Sequence, residues 1–422
     1  MTTIIGHVYI GTPVGDVLDG SAAADVIVGN GGNDSISGDP VDSIAGGDDI
    51  ITGDGGDDQI DGGIGNDFIN GGSGNDWIAG GPCSSAGYGV ADADTLIGGG
   101  GDDVIYGYSG DDSLAGNSGN DVLDGGDGND SLAGGSESDT LSGGCGNDWL
   151  LGGRDADQLS GDWGNDTIVG GADSDSISGG DGNDVVYAGT GDDTVLGDNG
   201  DDRIWGDSGN DRIDGGLGGD RLTGGAGNDT LDGSSGDDTL DGGSGDDAVS
   251  DSDGDSSSQN LLRGGAGNDT LSALNGHDTL YGGAGDDWLI KQLFGSAILN
   301  GGGGNDTIVS GGFEPATLVG GAGDDVLRSV QSSDVLIGGA GADTFAFSSA
   351  RVYGSGADRI NDFHAAEGDV IDLSLFDFAD LDAVFATFSA QGTGTLISLP
   401  SGSVFVAGIS PDDLAHADNF LI

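Results

Sequence analysis

Aspartate recurs every nine residues along most of this chain, and that spacing constrains the fold more than any other feature. From Gly98 to Ser250 the frame is unbroken over 17 consecutive nonads whose consensus is G-G-x-G-[N/D]-D-x-U-x, with U aliphatic and position four Gly in 14, the exceptions being Glu137, Asp155 and Asp173. Gly125–Ala133 (GGDGNDSLA) and Gly224–Asp232 (GGAGNDTLD) are clean copies. Position six is Asp in every one: Asp103, Asp112, Asp121, Asp130, Asp139, Asp148, Asp157, Asp166, Asp175, Asp184, Asp193, Asp202, Asp211, Asp220, Asp229, Asp238 and Asp247. Position eight is Leu, Ile or Val throughout. Looser copies begin at Gly11, with Asp16 and Asp25, and then carry Asp34, Asp49, Asp58, Asp67, Asp76 and Asp94. Beyond the unbroken run come Asp269, Asp278, Asp287, Asp306, Asp325 and Asp343. Insertions interrupt the frame near 82–93, 251–261, 291–300 and 310–319. In the last two, Ala297 and Ala316 fall near the place of the aspartate, so gaps in the acidic column are expected there.

Periodicity decides how the composition is to be understood. The 94 Gly and 6 Pro amount to about a quarter of the 422 residues, which without a period would indicate disorder. A disordered linker does not hold one aliphatic residue in register through 17 repeats. Asp and Glu number 75 against 9 Lys and Arg, a net charge of −66, and only Glu137, Glu314 and Glu367 are glutamates. So strong a preference for the shorter acid points to carboxylates held close to a tight backbone. The charge excludes nucleic acid and anionic membrane as natural partners and invites cations. No apolar run is long enough for a membrane span, and Met1–Gly15 lacks the pattern of a Sec-type leader.

The repeat resembles the RTX nonapeptide of haemolysin-type calcium-binding proteins over about residues 11–346. That resemblance implies an all-β fold, a right-handed parallel β-roll (a β-helix solenoid) with two nonads per coil. It also implies several bound Ca²⁺ ions, with every aspartate named above from Asp34 to Asp343 as a metal ligand. Residues 1–10 would then form an N-terminal cap, 11–346 the roll and 347–422 a small α+β cap.

The physics of the repeat runs parallel to the resemblance. Positions one to six are expected to turn, with glycines permitting positive φ and close backbone approach. Positions seven to nine form a short strand whose aliphatic residue points inward. Residues 18 apart stack, so Asp103 lies over Asp121 and Asp112 over Asp130. Carboxylates and backbone carbonyls converge, which suits Ca²⁺ with its roughly 6–8 oxygen ligands better than the small octahedron of Mg²⁺. Four scattered His and two Cys supply no set for zinc or copper. One buried aliphatic per nonad contributes roughly 1.5–3 kcal/mol, against about 1–2 kcal/mol per residue of backbone ordering. Folding is therefore expected to require the ion.

Composition shifts at about Phe345: from that residue on lie nine of the 12 Phe but only seven of the 94 Gly. Asp380 is expected to cap a helix through Leu381, Val384, Phe385 and Phe388, and Thr395–Leu399 with Ser403–Ala407 to form a hairpin. This region is similar to the cap and secretion segment of serralysin-like proteins. Its ending, Asp418-Asn-Phe-Leu-Ile422, fits their uncleaved type I signal, which implies a secreted, extracellular or cell-surface protein and a type I secretion apparatus as partner. No H-E-x-x-H or G-x-S-x-G occurs, so no catalytic residue is assigned and no enzyme is expected. The leading expectation is a rigid structural or interaction module of a matrix, surface layer or adhesion, partnering itself or a cell-surface polymer. The alternative is a non-catalytic, toxin-like effector. Cys83 and Cys145 lie about three coils apart, too far for a bridge between Cα atoms that must come within about 7 Å, unless the insertion at 82–93 reaches across; a link between chains is the other reading.

Overall fold

The computed structural model describes residues 6–40, 46–81, 92–348 and 357–422. It divides into two compact units, Met1–Ser208 and Gly209–Ile422. Cys83 and most of the insertion at 82–93 lie outside the described residues.

In the first unit each strand pairs in parallel with the strand two further along the chain. Leu114, Leu132, Leu150 and Ile168 form one ladder at 18-residue steps. Ile105, Leu123, Leu141 and Leu159 form the other. Two nonads thus make one coil, and the position-eight side chains stack as two facing columns with almost no exposure. These columns are the core.

The strands are longer than the three residues expected. Val104–Ser109 and Val122–Asp127, for example, run from position seven to position three of the following nonad. The turn of one coil lies over an identical turn of the next, so its amides also find carbonyls: Gly110 N–H donates to Asp127 O and Gly128 N–H to Cys145 O, each at 2.7 Å. The chain still bends, because position two (Gly126, φ 104°) and position four (Gly128, φ 153°) are left-handed. Asp173, one of the exceptions to glycine at position four, accepts the same conformation at φ 73°.

The second unit repeats this winding. Leu222, Leu240, Leu262 and Leu280 form one ladder, and Leu231, Val249, Leu271 and Leu289 the other. The insertion at 251–261 is absorbed in a turn, since Leu240 still pairs with Leu262. The stretches at 291–300 and 310–319 are each a nonad with one extra residue, which lengthens its coil to 19 residues, as the pairings Thr279 with Ile298 and Ile298 with Thr317 show. Parallel pairing continues beyond residue 346: Thr344–Phe347 pairs with Val370–Asp372, which pairs with Phe420–Leu421.

The C-terminal helix is shorter than its apolar spacing suggests. Asp380 caps it, its side chain accepting the Ala383 N–H at 2.9 Å, but it spans only Leu381–Phe385. Phe388 instead opens the strand Phe388–Gln391, where its ring meets Phe385 and Phe420 at 5.6 and 5.7 Å. That strand, Gly394–Leu399 and Gly402–Ala407 form an antiparallel meander containing the expected hairpin. Among the described residues no helix is long and apolar enough to cross a membrane.

Candidate metal centre

The alternation of strand side chains places positions six, eight and one on the inward face, as at Asp103, Ile105 and Gly107. The position-six aspartates therefore point into the protein. From Asp34 to Asp343, none of the candidates is more than 3% exposed.

Within each unit one carboxylate oxygen is accounted for. Asp103 N–H donates to Asp121 Oδ1, Asp121 N–H to Asp139 Oδ1 and Asp139 N–H to Asp157 Oδ1, each at 2.8 Å. On the other edge Asp112 N–H reaches Asp130 Oδ1 and Asp130 N–H reaches Asp148 Oδ1, both at 2.7 Å. The looser repeats do the same: Asp34 N–H donates to Asp58 Oδ1 and Asp49 N–H to Asp67 Oδ1. In the second unit the chain of donors runs Asp229, Asp247, Asp269, Asp287, Asp306, Asp325, Asp343 at 2.8–3.0 Å and ends on Asp369 at 3.1 Å.

The second oxygen is different. Oδ2 of Asp103, Asp121, Asp130, Asp148 and Asp166, and of Asp229, Asp247, Asp269, Asp287 and Asp306, is buried without a hydrogen-bond donor. Buried carboxylate oxygens are normally satisfied, so a whole column of unsatisfied ones needs an explanation. Each faces the position-one glycine of its own nonad. A Cβ on Gly125 would lie 2.5 Å from Asp130 Oδ2 and 2.6 Å from the carbonyl oxygen of Gly143, one coil on. Glycine is favoured here because a Cβ competes with oxygen atoms for the space; in the unbroken run only Ala188 departs from it.

Removal from water pushes these carboxyls up, neighbouring aspartates add to the effect, and the backbone N–H on Oδ1 opposes it. Asp103, Asp130, Asp139, Asp166 and Asp175 are raised from 3.8 to about 7, and Asp67 to about 9. Either protons or cations must neutralise the column. Among the described residues no three His, Cys, Asp or Glu side chains come together as a metal site. The ligands that complete one must be backbone carbonyls such as that of Gly143. Such an all-oxygen set, with few carboxylates and several carbonyls, fits Ca²⁺. The residues that would hold it are the position-six aspartates through Oδ2, and the ion would supply the missing positive charge.

Several members of the columns escape a search for intact nonads. Asp334 and Asp358 continue one column, Asp334 N–H donating to Asp358 Oδ1 at 3.1 Å, and Asp369 ends the other. Each precedes an aliphatic residue by two positions, Leu336, Ile360 and Ile371, which is the signal that finds them. Ala297 and Ala316 occupy aspartate places, their carbonyls accepting the Thr317 and Val335 N–H groups. Asn260 occupies a third, its Oδ1 accepting the Asp238 N–H at 2.7 Å. Asp278 differs from the other aspartates: its Oδ2 takes the ammonium of Lys291 at 2.7 Å. Nothing in the repeat pattern announces that contact.

The RTX calcium-binding nonapeptide repeat (4 copies) matches residues 10–42, 45–81, 88–123, 124–159, 160–195, 187–222, 214–249, 256–289, 295–314 and 316–346. No curated protein matches the chain. Among solved structures, the extracellular lipase LipA from Serratia marcescens is similar at 20% identity over 53% of this chain and 45% of its own, with a TM-score of 0.19. This chain thus covers less than half of that lipase, and a likeness at that score carries no argument.

Proposed function

This chain belongs to the RTX calcium-binding nonapeptide repeat family, and from that premise we propose that it is a secreted, non-catalytic protein that folds on binding Ca²⁺ outside the cell and then serves as a stiff structural or interaction module. The observation that carries the calcium part is the column of buried Oδ2 atoms without donors. In cytosolic calcium, micromolar or below, the carboxylates repel and the chain stays open. In millimolar calcium each ion binds only wound coils, so the folded state is favoured by mass action. A chain that winds only outside can pass through a narrow export channel before it acquires tertiary structure.

Circular dichroism of the full chain tests the coupling. The expected result is coil in chelator at neutral pH and β-structure in millimolar calcium; a full β-signal in excess EGTA would refute it. For export, the C-terminal segment that resembles a type I signal is the region to alter. Ile422 is about half exposed while Phe420 is buried. Ile422→Asp therefore leaves the packing intact and is expected to retain the protein in the cell, whereas normal export would remove the segment from the proposal. A module that assembles on a surface should form filaments or lattices under the electron microscope only with calcium present; isolated particles at every calcium concentration would favour a toxin-like effector instead.

A further inference from the structure

Between Asp251 and Asp334 one edge of the second unit abandons the repeat while the other keeps it. On the regular edge Asp269, Asp287, Asp306 and Asp325 follow one another with unpartnered Oδ2 atoms. On the altered edge the corresponding column runs Asp238, Asn260, Asp278, Ala297, Ala316, Asp334. Three of the carboxylates are gone. The inward glycine at position one is gone as well: Asp251, Ala273, Lys291 and Ser310 stand there in successive coils.

Lys291 is the only lysine in the chain. It is also among the most deeply buried side chains, 1% exposed, with its ammonium 2.7 Å from the fully buried Asp278 Oδ2. Burying an ammonium costs several kcal/mol unless a carboxylate meets it, so a chain with 75 acidic residues gains nothing by hiding its one lysine unless charge is needed there. The geometry explains how it fits. At position one a side chain as long as lysine would strike the aspartate of its own nonad, but in this nonad that residue is Ala297, and the vacated space admits the lysine toward Asp278, one coil back.

We propose that the Lys291 ammonium is a built-in substitute for calcium, so that Asp278 is not a calcium ligand and this edge closes without metal from Asn260 through Ala316. The inference rests on the calcium reading of the regular columns. It makes the two edges of these coils chemically different, one charged by ions from solution and one by a covalent cation.

Native mass spectrometry of the full chain, which resolves individual bound calcium ions, tests it. Asp287→Asn, on the regular edge, is expected to lose at least one ion. Asp278→Asn is expected to lose none. The double variant Asp278→Asn with Lys291→Met removes both charges of the buried pair together, and its count too must equal that of the unaltered chain; it serves where the single variant does not fold. Losses from Asp278→Asn or the double variant that match the loss from Asp287→Asn would overturn the proposal alone. A count unaffected even by Asp287→Asn would overturn the calcium reading, and this inference with it.

Discussion

Acid should do part of the work of calcium. A carboxyl whose pKa is higher in the folded chain than in the unfolded one holds its proton more tightly when folded. Asp103, Asp130, Asp139, Asp166 and Asp175 are raised from 3.8 to about 7 by burial and by the carboxylates stacked beside them. The metal-free fold therefore gains stability as pH falls through about 7, and the gain is complete near the unfolded value of about 4. Three units at about 1.4 kcal/mol each set an upper limit near 4 kcal/mol per carboxyl. Water penetration and coupling between neighbours cut this heavily. At a quarter of the limit, five such groups still contribute about 5 kcal/mol, as much as the whole stability of many domains. The assay is far-ultraviolet circular dichroism of protein stripped of calcium by a chelating resin, since EGTA itself weakens on acidification. Going from about pH 8 to about pH 5 should raise the β-signal without calcium and lower the affinity for calcium, because protons compete for Oδ2. A metal-free spectrum that does not change over that range would refute the argument that uncompensated burial of these carboxylates opposes folding.

The glycine at position one gives a second test. Gly125→Ala places a methyl group within 2.6 Å of Asp130 Oδ2 and the Gly143 carbonyl oxygen, whereas Gly254 has nothing within 4 Å of its added Cβ. Gly125→Ala should cost about 1–3 kcal/mol and weaken calcium binding at that turn by calorimetry, with Gly254→Ala within about 0.5 kcal/mol of the parent. Leu222→Ala, deep in a position-eight column, should cost about 2–5 kcal/mol in saturating calcium, measured by chemical denaturation. Asp173→Gly removes a left-handed aspartate and should stabilise by about 0.5–1 kcal/mol; a loss of stability there would mean the carboxylate is needed.

The coil length, the core and most of the acidic columns were legible because each depends on a period. An aliphatic residue every nine positions specifies the Leu114–Leu132–Leu150 ladder, and Asp two residues before it specifies the inward carboxylate. What was not legible depends on contacts the period does not encode. The strands extend through positions one to three because the next coil's turn supplies carbonyls, a tertiary effect invisible in a single nonad. Phe388 leaves its helical spacing because Phe385 and Phe420 offer it a better packing site. Lys291 looked like part of a lapsed repeat; its meaning lies in Asp278, reached through space from the preceding coil. The one available hint was compositional, a solitary lysine in a strongly acidic chain.

Pairing at steps of 18 has a consequence for how such a chain can change length. Within a unit, adding or removing a full coil leaves every aspartate on its own edge and every ladder partner of the same type, as the succession Leu123, Leu141, Leu159 illustrates. Adding or removing a single nonad sends all downstream residues half a turn around. In the regular stretch the two edges are interchangeable and such a slip is silent. Beside Lys291 it is not, because it would deliver the ammonium to the wrong side. Growth and shrinkage by halves should thus be confined to the uniform part of the array, and only whole coils should be exchanged next to the altered edge.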